Sequence, residues 1–128
     1  MVAVGSASSN HLIACLQIFN EYRIDYQIWI KETHDSQEQG NENYLRLLAE
    51  PSRIIRIAQQ DWSRVDELAI NHMKEGKCAY VMKEGGCQED AVWGAMTLGR
   101  DILKHSTSYQ HIFVDAGTGL SAVALQLY

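Results

Sequence analysis

Short apolar runs alternate with amphipathic stretches along the chain, and each change of period marks a change of element. Val2–Val4 predicts a short strand, ending in the small, polar loop Gly5-Ser-Ala-Ser-Ser-Asn10. Leu12, Ile13, Leu16 and Phe19 then recur at helical spacing, so a helix is expected from about His11 to Tyr22, capped by Ser8, Ser9 or Asn10. Ile24, Tyr26, Ile28 and Ile30 alternate with Asp25, Gln27 and Trp29, which is the period of a strand. After the polar stretch Thr33–Gln39, Tyr44, Leu45, Leu47 and Leu48 mark a second helix that Pro51 ends. Arg53–Ala58, rich in isoleucine, predicts a third strand. Asp61 is placed to cap a third helix carrying Trp62, Val65, Leu68, Ala69 and Met73, with Gly76 as its stop.

Cys78–Met82 predicts a fourth strand, followed by the glycine loop Glu84–Cys87 and a helix with Val92, Ala95, Met96, Gly99, Ile102 and Leu103 inward. Ile112–Val114 predicts a fifth strand, then the small-residue loop Ala116–Gly119 and a last helix from Leu120 to the end. The expected fold is therefore a single α/β domain over residues 1–128. It would be a three-layer α/β/α sandwich on an open, mostly parallel, doubly wound sheet of about five strands in the order 3-2-1-4-5. In that order the chain reverses direction between the first and fourth strands, and ligands bind at the carboxyl ends of strands beside such a switch point.

Composition narrows the function. The chain has 128 residues, 46% of them hydrophobic and 21% charged, which suits one folded core. A net charge of -5 and the lack of a basic stripe argue against nucleic acid as a partner. No apolar run is long enough to span a membrane, and the first residues do not read as a secretory signal. Cys15, Cys78 and Cys87 stand apart at no metal or redox spacing, so no disulfide framework is expected and the cytoplasm is the expected location. Cys15 reads as core packing, and Cys87, with no histidine near it in sequence, as a bystander thiol rather than a reactive one at a helix start. The five histidines show no HxH or HExxH spacing, and no metal site is expected. His11 is the one to name, since it follows Ser9-Asn10 at the expected crevice.

The loops carry the candidate chemistry. Free amides at a helix amino terminus attract anions, and Ser6, Ser8, Ser9 and Asn10 add donors there. Gly117-Thr-Gly119 before a helix is a short version of a phosphate-cradling turn. Each loop also reads as an ordinary cap or strand-to-helix turn.

Taken in order, four stretches resemble one family. They are Gly5-Ser-Ala-Ser-Ser-Asn-His11, Gly40-Asn41 with Arg46-Leu-Leu48, Tyr80-Val-Met-Lys-Glu-Gly-Gly-Cys87 with Gly94, and Phe113-Val-Asp-Ala-Gly-Thr-Gly-Leu-Ser121. The chain thereby resembles the middle portion of the fold-type-II pyridoxal-phosphate (PLP) enzymes, in the branch of 1-aminocyclopropane-1-carboxylate deaminase and D-cysteine desulfhydrase. The resemblance implies PLP as the family's cofactor and deaminase, lyase or hydrolase chemistry on amino acids. It implies that Ser9, Asn10 and His11 face the substrate, with Ser9 on its carboxylate. Asn10 would also meet the cofactor's ring hydroxyl, and Gly117, Thr118, Gly119 and Ser121 would bind its phosphate.

Departures from the family pattern set the functional expectation. Lys83 stands where the family has proline, Leu120 where it has glycine, and Cys87 where it has serine. The family's Schiff-base lysine lies upstream of the Ser-Asn segment, whereas this chain starts eight residues before Ser9. Lys31, Lys74, Lys77, Lys83 and Lys104 occupy none of the matching positions. The chain is therefore expected to carry the substrate-carboxylate loop without a catalytic residue, and to be inactive alone. The expected partners are a small amino-acid or anionic ligand, and either a second copy of the chain or a chain supplying the missing domain. The alternative is a non-catalytic α/β module that binds small anions or self-associates.

Overall fold

The computed structural model describes residues 1–33, 40–105, 109–114 and 117–127. They form two compact units, Met1–Gly85 and Gly86–Tyr128. The first holds a sheet of four parallel strands: β1 (Val2–Gly5), β2 (Gln27–Lys31), β3 (Ile54–Ile57) and β4 (Val81–Met82). Their order is β3-β2-β1-β4, with Ala3 beside both Ile28 and Met82, and Trp29 beside both Val4 and Ile55.

Helices cover both faces of this sheet, which is why the strands are apolar on both sides. On one face α1 (Asn10–Glu21) and α2 (Asn41–Leu48) bury Leu12, Cys15, Leu16, Phe19 and Leu45 against Ala3, Ile28 and Ile30. On the other, α3 (Val65–Lys74) sets Val65 and Ala69 against Val2, Val4, Trp29 and Val81. The three layers and the strand order 3-2-1-4 are those the pattern predicts. Each fully buried Leu or Ile contributes about 1.5–3 kcal/mol of transfer free energy.

Glycine and proline set the boundaries. Gly5 ends β1 where a Cβ would stand 3.0 Å from Leu12 Cγ, so its bare backbone lets α1 pass close to the sheet. Pro51 keeps Glu50 extended, and α2 has stopped at Leu48. Gly76 has φ +73 and its amide donates to the Met73 carbonyl at 2.9 Å, closing α3 as expected.

Several boundaries differ from the sequence reading. β2 starts at Gln27 rather than Ile24, although Tyr26 still enters the core and its ring stacks on Phe19 at 5.4 Å. β4 keeps only Val81 and Met82 of the expected Cys78–Met82, with the Tyr80 carbonyl accepting from the Val2 amide at 2.9 Å. Asp61 does not cap α3. Gln59–Arg64 winds as a 3₁₀ helix, and the α-helix begins at Val65. Of the polar stretch Thr33–Gln39, residues 34–39 lie outside the described residues.

The second unit contains α4 (Glu89–Lys104) and α5 (Leu120–Leu127), packed together with Gly99 and Ala124 buried. Ile112–Val114 forms no strand. These residues are irregular and exposed, and Phe113 is 95% exposed, so the sheet has four strands rather than about five among the described residues. Three apolar residues make a strand only when a neighbouring strand takes up their amides and carbonyls. Asp115, Ala116 and Tyr128 lie outside the described residues. Among the described residues no helix is long and apolar enough to cross a membrane.

Candidate functional site

Because β1 lies between β2 and β4, the chain builds outward through β2 and β3 and then returns to the other side of β1. The switch point is therefore at the carboxyl ends of β1 and β4. Gly5 leads into the Ser6–Ser9 loop, which turns tightly through a 3.0 Å bond from the Ser9 amide to the Ser6 carbonyl. Ser9 is the N-cap of α1, with extended backbone, and its Oγ accepts from the Leu12 amide at 3.4 Å. As an acceptor in that bond, the hydroxyl keeps its proton for a ligand. Ser6 Oγ and Ser8 Oγ are 3.4 Å apart on the same loop.

Asn10 is oriented by a residue from the next helix. Asn41, the first residue of α2, donates from Nδ2 to the Ser8 carbonyl at 3.0 Å and to Asn10 Oδ1 at 2.6 Å. A carbonyl only accepts, so Asn41 must present its NH2 group. Asn10 must then answer with oxygen, which turns its own NH2 outward. Gly40 before it has φ +64, a left-handed conformation that suits glycine. Asn41 thus ties the amino termini of α1 and α2 together. In the sequence Gly40-Asn41 belongs to the resemblance, and nothing there gives Asn41 a role. Its signal in the sequence is the Gly40-Asn41 pair just ahead of a short helix.

Electrostatics favour an anion here. The first turn of α1 carries no acidic residue, and neither does that of α5. By contrast α2 carries Glu42, α3 Asp66 and Glu67, and α4 Glu89 and Asp90, which neutralise their own amino termini. His11 is half-buried, and its ring lies against Cys15, with Nε2 3.6 Å from Sγ. Burial lowers its pKa below the usual value of 6.5. At neutral pH the ring therefore brings no charge.

The phosphate-loop residues belong to the second unit. Gly117, Thr118 and Gly119 precede α5, with Ser121 at its second position, exposed. Gly119 has φ +84, which favours glycine, and its carbonyl accepts from the Val123 amide at 2.9 Å. A Cβ at Gly117 or Gly119 would meet nothing within 4 Å, so the loop is open around its backbone. An open loop at the start of a helix free of first-turn acids fits a phosphate. Leu120 is half-buried at the helix start. Among the described residues no three His, Cys, Asp or Glu side chains gather into a metal cluster.

No protein-family model matches the chain, and no curated protein matches its sequence. Among solved structures it is similar to the crystal structure of an ACC deaminase homologue, with a TM-score of 0.69 and 20% identity. The likeness covers 98% of this chain but 39% of that one, so the chain spans well under half of its structural relative. The two share a fold, and it is the fold that the four sequence stretches implied.

Proposed function

We propose that the chain is a partial-length relative of the PLP-dependent 1-aminocyclopropane-1-carboxylate deaminase and D-cysteine desulfhydrase branch. In this reading it holds a small carboxylate or phosphate at the α1 amino terminus and does not run the chemistry alone. The supporting observation is the acid-free amino terminus of α1 at the switch point, with the Ser9 cap and an Asn10 amide turned outward by Asn41. Free amides of the first turn and the Ser9 hydroxyl would donate to the anion, and Asn10 Nδ2 would donate to an acceptor beside it. PLP, when bound, supplies an electron sink, and an amine must carry it. Gly117, Thr118, Gly119 and Ser121 would hold its phosphate on the α5 amino terminus. The non-catalytic part of the reading rests on the resemblance, in which none of the five lysines takes the place of the family's cofactor-bearing lysine. Three free cysteines support a cytoplasmic setting. Exposed apolar residues in the second unit support association with a second copy or with a chain supplying the rest of the fold.

The test is a titration with inorganic phosphate and with 1-aminocyclopropane-1-carboxylate, followed through the amide resonances of Ser8–Leu12. Those resonances should move, and Ser9→Ala should weaken binding roughly tenfold or more, since a hydrogen bond to a charged group is worth about 1.5–3 kcal/mol. With a net charge of -5 the chain repels anions, so binding should be modest and fall with added salt. Unmoved resonances would sink the binding half of the proposal. A borohydride-trapped PLP–lysine peptide at full stoichiometry would sink the other half.

A further inference from the structure

One side of the sheet in the first unit ends without a partner strand. Among the described residues β3 pairs with β2 alone and stands at the end of the order β3-β2-β1-β4. The register shows which backbone groups face outward. Ile57 bonds inward, since its carbonyl accepts from the Glu32 amide at 2.8 Å. Backbone direction alternates along a strand, so the N–H and C=O of Arg56 and the C=O of Ile54 face the open edge. The Ile54 amide is taken up by the Pro51 carbonyl. Side chains alternate as well. Ile54 packs with the α1–α2 core, while Ile55 and Ile57 pack with α3. Arg56 therefore shares the face of Ile54.

On that face, beside the edge, lies a cleft of about 590 Å³ lined by Arg46, Pro51, Ile54 and Arg56. The carboxylate of Glu42 on α2 is 3.3 Å from Arg46 and 3.9 Å from Arg56. It lies nearer Arg46, and the Arg56 side chain stays 43% exposed, with charge to offer a further carboxylate. We propose that the β3 edge takes an extended acidic segment of another protein as an added strand, with an aspartate or glutamate opposite Arg56 and an apolar residue opposite Ile54. The proposal uses neither Ser9 nor Asn10 and stands independently of the anion site.

Strand addition fits because each half of the contact answers a feature already present. An open edge is a template for an extended chain, whose backbone supplies affinity and whose alternate side chains supply specificity. The residue opposite Arg56 points to the same face in either strand direction, so its side chain enters the cleft. Pro51 and Ile54 give that cleft an apolar wall, and Arg56 gives it a planar cation that matches a carboxylate. Charge also selects against a second copy of this chain. Its own β3 would bring another Arg56 onto the same face of the edge, and like charges across a strand pair are destabilising.

The experiment uses the full chain and a dye-labelled, end-blocked peptide whose core reads valine, threonine, glutamate, threonine, valine, the same in both strand directions. Fluorescence anisotropy should rise to saturation as the chain is added, and the Arg56 amide should gain protection from hydrogen exchange. Replacing the peptide's glutamate by glutamine should weaken binding roughly tenfold, as should Arg56→Gln in a chain of unchanged circular dichroism, because a hydrogen bond between charged groups is lost. N-methylating the glutamate and the threonine after it blocks the donor to the Arg56 carbonyl in either direction and should abolish binding. Absence of saturable binding overturns the proposal, as does equal binding of the glutamine peptide. Binding retained after N-methylation would mean a carboxylate contact without an added strand, which also overturns it. A response of the Ser8–Leu12 resonances in place of Arg56 would put the peptide on the anion site and overturn it too, so the two sites are read separately.

Discussion

Single side chains with several partners are the points at which this fold can be tested most sharply. Asn41 donates to two oxygens from one nitrogen, and no other residue type of its size does this from a helix start. Asn41→Ala should cost about 1 kcal/mol in urea unfolding and weaken phosphate binding by releasing Asn10. Asn41→Asp should cost more than Asn41→Ala, because it turns a carboxylate oxygen onto the Ser8 carbonyl and Asn10 Oδ1. Arg53 is a second such centre. It bonds Glu50 at 2.9 Å, the Asp25 carboxylate and the Tyr26 carbonyl, with its guanidinium over the Tyr26 ring. The hydrogen bond from Arg53, and then its charge, hold the Asp25 carboxyl below its ordinary 3.8. A carboxyl depressed in the folded state adds stability above its unfolded pKa, and that stability is lost as pH falls through the folded value. Asp25→Asn should therefore lower the melting temperature at about pH 6, and by a shrinking margin as the pH is taken down below the ordinary carboxyl range. A loss that stays constant as the pH falls would mean that packing, not charge, is at stake.

Among the elements, α1 does most to join fold and site: its first turn forms the candidate site, and its inner face is core. Leu16 is fully buried beneath the sheet, so Leu16→Ala should cost about 2–5 kcal/mol by denaturant melts. Leu47, on the outer face of α2, is 80% exposed, and Leu47→Ala should change stability by less than about 0.5 kcal/mol. Gly76→Ala isolates a backbone term, because a Cβ there would meet nothing within 4 Å and only the φ of +73 is strained. It should cost about 1–2 kcal/mol. These elements were legible in the sequence because helical spacing in Leu12, Leu16 and Phe19 and alternation in Tyr26, Ile28 and Ile30 record which face meets the core. Ser9 was legible as a cap for the same local reason. Ile112–Val114 misled because apolar character alone does not supply the neighbouring strand that would pair it. Asp61 misled because Gln59–Arg64 satisfies its turn through 3₁₀ bonds such as Asp61 to Ala58. Asn41 stayed hidden because its meaning depends on Asn10 and Ser8, which only the tertiary fold brings to it.

At the scale of the whole molecule, most of the exposed large apolar side chains among the described residues belong to the second unit. In the second unit Trp93, Leu98, Leu103, Phe113, Val123 and Leu127 are exposed, with Trp93 at 70% and Phe113 at 95%. A groove of about 460 Å³ there is lined by Ile102, Leu103, Ile112, Val114 and Leu125. The charges beside it, Asp101 with Arg100 and Lys104, are paired with one another, so they offer little repulsion to an approaching apolar face. Water wets such a surface at a cost of about 25 cal/mol for each Å² of apolar area, and covering it with a second copy recovers that cost. The chain should therefore self-associate, and sedimentation should show mass rising with concentration. Covering the groove needs apolar contact rather than charge, so added salt should not dissociate the assembly. Phe113→Ser and Val123→Ser together should shift the equilibrium toward monomer while leaving the circular dichroism of the folded chain unchanged. A monomer at all concentrations would show that this surface does not drive association. An assembly that falls apart in salt would place its interface on charged groups elsewhere.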